Sequence, residues 1–546
     1  MRFVEKNPKK AREPDSAASS VRSVDSYEIF GSACSDCTDC EYCEDRRRRY
    51  KKPSNTQKHW SPSVTSHSYC SAMSRAEAEP LLQGAVTPTY RAVSSESIDT
   101  LGPADLSSND VLTTFHNTFE NSFKPEREKK QSSLVTIFSV WNTIMGSSLL
   151  TMAWGVERAG LPAALLLLAF MAALCLYTAY VLLRVNKYHG SASCEVPALC
   201  RELLGPWAEV VAHVFSVLVL LGANIVYWIL ITNFLYFSVN YFVDLSTSNE
   251  TEYNTSLLCP RHANESLLLV EPEKDSPYWG LHTTVPIYVA LLVFPLLNFK
   301  DVSFFTKFNS LGTLSVAYLL IFVIVKGYAW GINVGSMMTE THAVRNAAVL
   351  SGMLALSFYI HNIIITIMGN NARQENNGRD LTIAFLLVTI TYTLVGAVFY
   401  ICFPLAKSCI EDNLLNNFEM HDVMTAMARM LLLFQVITVY PLVAFMLRTE
   451  AILLLPFEKT RFLTVVINVF IMTLCILVAC FCPSIGTIIR YTGAVSGLVH
   501  IFALPSLLQI RSLQLRGKLT WWKTVFYCAI LVFGAVNLLM QFFINE

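Results

Sequence analysis

The chain has 546 residues, of which 53% are hydrophobic and only 15% charged; 41 lysines and arginines balance 41 aspartates and glutamates to a formal net charge of zero. That composition excludes an ordinary soluble domain, because the apolar residues fall in blocks of about 20, the length that crosses a hydrocarbon core. The neutral total hides two unlike parts: residues 1–130 hold most of the charge and serine, and residues 131–546 are membrane-like. The fold class expected is an all-α polytopic membrane protein: one transmembrane domain over 131–546 behind a disordered cytosolic tail over 1–130.

Met1 to Arg12 is charged rather than apolar, so the first span is expected to act as its own insertion signal, with the N-terminus in the cytosol. Within the tail, Cys34, Cys37, Cys40 and Cys43 recur every third residue. Thiolates at that density suggest a metal site, although three-residue steps strain a single four-thiolate shell. Acylation beside the basic run Arg46 to Lys52 is a second reading, and no special role is a third. Glu77, Leu81 and Leu82 match the acidic dileucine form that routes membrane proteins to endosomes and lysosomes.

From residue 134 onward, low charge and sustained apolarity predict eleven spans, at about 134–155, 161–184, 207–243, 283–299, 305–328, 346–368, 381–403, 424–447, 461–483, 487–510 and 521–544. With the N-terminus inside, Arg184, Lys187, Arg448, Lys459, Arg461 and Arg511 fall in cytosolic loops and outnumber the basic residues of the opposite side. The positive-inside rule therefore agrees, and an odd span count leaves the C-terminus luminal.

The first span is interrupted by Trp141-Asn142-Thr143-Ile144-Met145-Gly146-Ser147-Ser148, small and polar residues close to mid-span. A helix that breaks at bilayer depth frees backbone groups that cost several kcal/mol each unless protein, ion or solute satisfies them. Secondary transporters bind solute at such breaks, so residues 142–148 are the leading site candidates. The alternative for Asn142 is helix–helix hydrogen bonding.

The loop from Asp244 to His282 carries sequons at Asn249, Asn254 and Asn264, on the side that the charge rule makes luminal. Cys259 in that loop and Cys409 in the loop after the seventh span are the economical disulfide pair, the alternative being two unpaired luminal thiols. In the sixth span, Ser357, His361, Asn362 and Thr366 are polar; His361 is either a protonation gate or a satisfied core histidine. In the eighth, Gln435, Thr438 and Tyr440 precede Pro441, and the Thr438 hydroxyl suits a hard cation. The spans carry no runs of acid or base, which argues against a voltage sensor or charge-lined pore. No P-loop or catalytic triad is recognisable, so neither ATP-driven pumping nor enzymatic activity is expected.

Ser133-Leu-Val-Thr-Ile-Phe138 with Trp141 to Gly146, Leu296 to Lys300, Ser303 to Phe305, Ile360-His-Asn362, Gln374 to Asn377 with Arg379-Asp380, Thr438-Val-Tyr-Pro441 and Ile488 to Tyr491 occur in an order that resembles the amino acid/auxin permease superfamily and, within it, its lysosomal sodium-coupled carriers. The resemblance spans roughly residues 132–546. It implies a leucine-transporter-like inverted repeat with broken helices one and six. Substrate would be held by Thr143, Ile144, Met145, Gly146, Ser147 and Ser148, and the sodium ion by Asn142 and Thr438. It further implies a lysosomal or late-endosomal membrane, arginine-responsive efflux of other amino acids, and signalling to TOR complex through a tail that engages Ragulator and Rag GTPases; no nucleic acid is implied. A sensor that engages the same partners with little flux is the alternative. Ser147 stands where the family leads one to expect threonine, and Met152-Ala153 where it leads one to expect an Ile-Pro pair.

Overall fold

A computed structural model of the chain describes residues 130–190, 195–247, 257–259, 278–298, 312–333, 343–455 and 460–543. The expectations for Cys34, Cys37, Cys40 and Cys43, for Glu77, Leu81 and Leu82, and for the sequons at Asn249, Asn254 and Asn264 lie outside the described residues.

The described residues form helices and no strands; the only β-type pairings among them are isolated bridges, Gln131 with Asn371 and Leu257 with Phe418. Helix α1, Ser133–Ile144, starts where the Ser132 hydroxyl accepts the Val135 amide proton. After a short break comes α2, Ser148–Ala159, bent from α1 by 62°. Gly160, at φ 74°, turns the chain back into α3, Leu161–His189, a left-handed conformation that glycine adopts without cost. The short α4, Val196–Leu204, leads to α5, Pro206–Thr247, whose 42 residues outrun a bilayer core by about twofold. Then follow α6 (Val285–Leu297), α7 (Gly312–Trp330), α8 (Ala343–Ser357) and the single turn-and-a-half α9 (Ile364–Gly369). The remaining helices are α10 (Gln374–Cys402), α11 (Val423–Leu454), α12 (Arg461–Phe481), α13 (Ile485–Leu515) and α14 (Trp521–Gln541).

Among the described residues, eight helices are long and apolar enough to cross a membrane, or nine with the bent α1–α2 pair. The expected count of eleven also needs α6 and α8. Both stand at expected span positions, but each is too short to cross alone. The sixth expected span divides at Phe358–Ile363 between α8 and α9.

The two interrupted spans pack on each other piece by piece: α2 lies against α8, and α1 against α9. Helix α10 covers α1, α13 backs α8, and α5 and α11 pack together along much of their length. At the end where α1 begins, here the tail end, the Gln131 amide donates to the Asn370 carbonyl (2.8 Å) and the Ala372 amide to the Gln131 carbonyl (2.8 Å). At the far end, the Phe403–Asp422 loop is closed over the bundle. Cys259 and Cys409 are disulfide-bonded. The Asn417 side-chain amide donates to the Leu258 carbonyl and to the Cys409 carbonyl, tying the loop to residues 257–259 beside the disulfide, and the buried Arg429 guanidinium donates to the Leu415 and Phe418 carbonyls.

Candidate functional site

The α1–α2 break follows from local backbone chemistry. Met145 takes φ −69° and ψ 91°, which ends α1, and its amide bonds back to the Trp141 carbonyl at 2.9 Å. Helix α2 then opens at Ser147 and Ser148 with no side chain capping it. The Leu149 and Leu150 amides turn back to the Gly146 and Ser147 carbonyls at 3.2 and 3.1 Å, which leaves the amides of Gly146, Ser147 and Ser148, at the positive end of α2, without a bond to the chain.

These residues face a cavity of about 290 Å³, near the lower bound of small-molecule sites. Asn142, Thr143, Ile144, Met145, Gly146, Ser147 and Ser148 all line it, so every residue expected from the break is in its wall. The opposite walls come from α5, α11 and the α8–α9 break, with the lining reaching Gln131 and Asn370 at the tail end. Four lining residues present buried polar atoms that no protein group satisfies: Gln131 Oε1, Ser139 Oγ, Gln435 Oε1 and the Tyr359 hydroxyl. A buried polar atom without a partner costs about 1–3 kcal/mol, which a polar solute would recover.

The second break faces the first. Helix α8 ends at Ser357, and the Tyr392 hydroxyl of α10 donates toward both the Ser357 carbonyl (3.0 Å) and the Ile144 carbonyl (3.1 Å). One buried tyrosine thus spans the carbonyl ends of both interrupted helices. Trp141 Nε1 donates to Thr391 on the same helix at 3.3 Å, which seats α1 against α10.

The two cation candidates are placed differently. Asn142 lines the cavity, and its Oδ1 accepts from Thr313 at the start of α7 at 3.3 Å. Thr438 does not line the cavity: it lies about 100° round α11 from the lining stripe, and its hydroxyl donates to the Gln435 carbonyl at 2.8 Å. No contact joins the two directly. The start of α7 meets Asn142 through Thr313 and meets α11 through Gln435, whose Nε2 would lie 2.9 Å from a Cβ added to Gly312. Among the described residues no cluster of three or more histidine, cysteine, aspartate or glutamate side chains could hold a metal ion, so a cation here would rest on hydroxyl, amide and carbonyl oxygens. His361 is fully buried and off the cavity; its Nε2 lies 2.9 Å from the Thr178 hydroxyl, while its Nδ1 has no hydrogen-bond partner, so it is a core histidine that is only half satisfied.

Sequence reasoning missed Tyr392, Tyr359 and Ser139. Ser139 and Tyr359 sit in largely apolar runs and Tyr392 among the threonines Thr389, Thr391 and Thr393, where one more hydroxyl looks like ordinary core; only the position of Tyr359 directly before Ile360-His-Asn362 hinted at a break.

Comparison with known proteins places this geometry in context. Residues 129–544 match the family model described as transmembrane amino acid transporter protein. The chain is 40% identical over 455 residues to the sodium-coupled neutral amino acid transporter 9 homolog of Caenorhabditis elegans, covering 76% of this chain and 74% of that one. It is 40% identical to neutral amino acid transporter 9 of Danio rerio, over 76% of this chain and 81% of the fish protein. To the protein of the same name from Rattus norvegicus it is 37% identical, over 77% and 80%.

Proposed function

The chain belongs to the transmembrane amino acid transporter family, and from that premise we propose that it is a sodium-linked amino acid carrier working by alternating access around the α1–α2 break. It is a carrier and not an enzyme. The single observation that supports the site most strongly is the uncapped start of α2 in the wall of a cavity where Gln131 Oε1, Ser139 Oγ, Gln435 Oε1 and the Tyr359 hydroxyl lack partners. A substrate carboxylate fits the amides near Gly146 to Ser148, since a helix N-terminus favours negative charge. The substrate ammonium fits the Tyr359 hydroxyl and the Gln435 oxygen across the cavity, with the Ser139 oxygen of α1 beside them.

Sodium enters the proposal as cargo. Oxygen donors suit it: the Asn142 amide oxygen at the cavity, carbonyls of the interrupted α1 backbone, and the Thr438 hydroxyl of α11, three residues on from the cavity-lining Gln435. Two C. elegans and fish relatives carry names of neutral amino acid transporters, and the nematode name adds sodium coupling. A lysosomal or late-endosomal address is supported by the dileucine pattern at Glu77, Leu81 and Leu82 together with the family resemblance. Arginine as the responsive ligand, and Ragulator and Rag GTPases as tail partners, rest on that resemblance alone.

The test is flux of radiolabelled arginine, leucine and glutamine in vesicles containing the purified full chain, with and without a sodium gradient. Asn142→Ala and Thr438→Ala are each expected to weaken sodium dependence by about tenfold, the scale of one lost oxygen ligand of about 1.4 kcal/mol. Both proteins should remain monodisperse. Sodium dependence unchanged in both removes the ion site; no flux of any of the three amino acids removes the carrier.

A further inference from the structure

Three walls of the cavity run on past its far end. Phe234 of α5, Leu319 of α7 and Leu432 of α11 line the cavity there. One helical turn further along each helix stand Phe237, Phe322 and Arg429. The Arg429 guanidinium lies 4.3 Å over the Phe237 ring, and Phe322 meets the Phe418 ring of the Phe403–Asp422 loop edge-on at 5.0 Å. Phe418 also stacks on Trp330 at 5.6 Å and sits 5.3 Å from the Lys326 ammonium. The loop is thus pinned by Phe418 directly over a buried cation.

Arg429 is 1% exposed, and among the described residues no carboxylate pairs with it. Its Nη2 donates to the Leu415 carbonyl at 2.9 Å and to the Phe418 carbonyl at 3.1 Å, while Nε and Nη1 have no acceptor. Acids of the loop are held by other groups. Asp422 Oδ2 takes Lys326 Nζ at 2.8 Å and the Thr425 hydroxyl, and Asp412 takes the Gly486 amide at 3.0 Å. A buried charge without a counter-ion is costly, and pinning the loop does not require one, because a neutral donor can serve two carbonyls. The unused nitrogens are what a purely structural pin leaves unexplained.

Which nitrogen the loop takes matters. A guanidinium offers a carboxylate two edges for a two-point bond, Nε with Nη2 and Nη1 with Nη2. Both include Nη2, so neither edge is whole while the loop is down. Once the Leu415 and Phe418 carbonyls leave, both edges are complete.

We propose that Arg429 is a second carboxylate seat, one turn beyond the far end of the cavity, which receives the carboxylate of an amino acid when the Phe403–Asp422 loop lifts. The proposal rests on the transport reading above and deepens it. The seat lies under the loop, toward the far ends of α5, α7 and α11, so the loop moves while α5 and α11 stay packed. Loop and substrate compete for one nitrogen: an arriving carboxylate replaces two carbonyls, and a departing one lets them return. A small inorganic anion such as chloride shares this chemistry, and the experiment separates the two.

The experiment counts the molecules of radiolabelled leucine, arginine and glutamine that the purified full chain binds at saturation and fixed sodium, in chloride and in methanesulfonate. The unaltered chain is expected to bind two per chain, the second at roughly tenfold higher concentration, because the loop competes for Nη2. Arg429→Gln should bind one. Arg429→Lys keeps a charged donor for the loop but has no two-nitrogen edge, and should weaken the second site by about tenfold. Phe418→Ala, which frees the loop and leaves the guanidinium intact, should tighten the second site several-fold at an unchanged count; a pin alone gives no such gain. One molecule per unaltered chain, two in monodisperse Arg429→Gln, or a second site indifferent to Phe418→Ala overturns the seat and leaves transport standing. A second molecule present in methanesulfonate and absent in chloride gives the seat to the inorganic anion and overturns its assignment to the amino acid. No binding of any of the three removes the transport reading, and the seat with it.

Discussion

Phenylalanine in place of Tyr392 is expected to lower amino acid flux by about tenfold or more, although it fills the same space. The Tyr392 ring is fully buried and packs edge-on to Phe358 at 5.6 Å, contacts that phenylalanine keeps. What disappears is one O–H that serves the Ile144 carbonyl at the end of α1 and the Ser357 carbonyl at the end of α8. Both acceptors lie at membrane depth, where water does not replace a lost donor, and an unmet buried carbonyl costs about 1–3 kcal/mol. The chain can recover that cost only by rewinding or shifting the two interrupted helices, which moves the α2 amides and Tyr359 that face the cavity. Flux in vesicles and the thermal midpoint in detergent should therefore fall together, and Tyr392→Thr, too short to reach either carbonyl, should behave no better. Full flux in Tyr392→Phe would show that the two breaks are independent of this hydroxyl.

Much of this arrangement was legible in the sequence, for stated reasons. The first break announces itself because Asn142, Thr143, Gly146, Ser147 and Ser148 are polar or small in a run that is otherwise apolar, and all of them line the cavity. The third expected span, 207–243, corresponds to α5 with four more residues at its far end. The Asp244–His282 loop and the Cys409 loop were both assigned to one side by charge, and the disulfide joins them. Less was visible where function depends on distant segments meeting. Thr438 reads as a ligand because it precedes Pro441, yet helical phase turns it away from the cavity and toward the Gln435 carbonyl. Arg429 looks like a cation near a helix end; nothing in its local pattern reports that it is buried against Phe237 of another helix. Tyr392 is one aromatic among many, and only the fold puts its hydroxyl between two broken helices.

Gly493 shows the same limit from the packing side, and its replacement should be the most damaging single change to stability. A Cβ built on Gly493 of α13 would overlap the Gly352 carbonyl oxygen of α8 and lie 2.8 Å from the Leu356 amide nitrogen. One built on Gly352 would lie 2.9 Å from the Arg490 carbonyl oxygen. Both obstacles are backbone, which has no rotamer to yield, so the helices must separate. Close approach through small residues is how membrane helices gain packing energy without a hydrophobic drive, and that energy is lost as they part. Overpacking of an ordinary core costs about 1–3 kcal/mol; a rigid backbone obstacle puts Gly493→Val at or above the top of that range, a large fraction of a typical folding free energy of about 5–15 kcal/mol. Gly493→Ala should lower the thermal midpoint and reduce flux, because α8 carries the Ser357 carbonyl and leads into Tyr359; Gly493→Val should leave little monodisperse protein. By contrast, a Cβ on Gly146 meets nothing nearer than the Tyr227 hydroxyl at 3.6 Å, so Gly146→Ala should keep its thermal midpoint. If Gly493→Ala matches Gly146→Ala in midpoint, α8 and α13 do not approach as closely as their glycines allow, and the framework that positions the second break is loose.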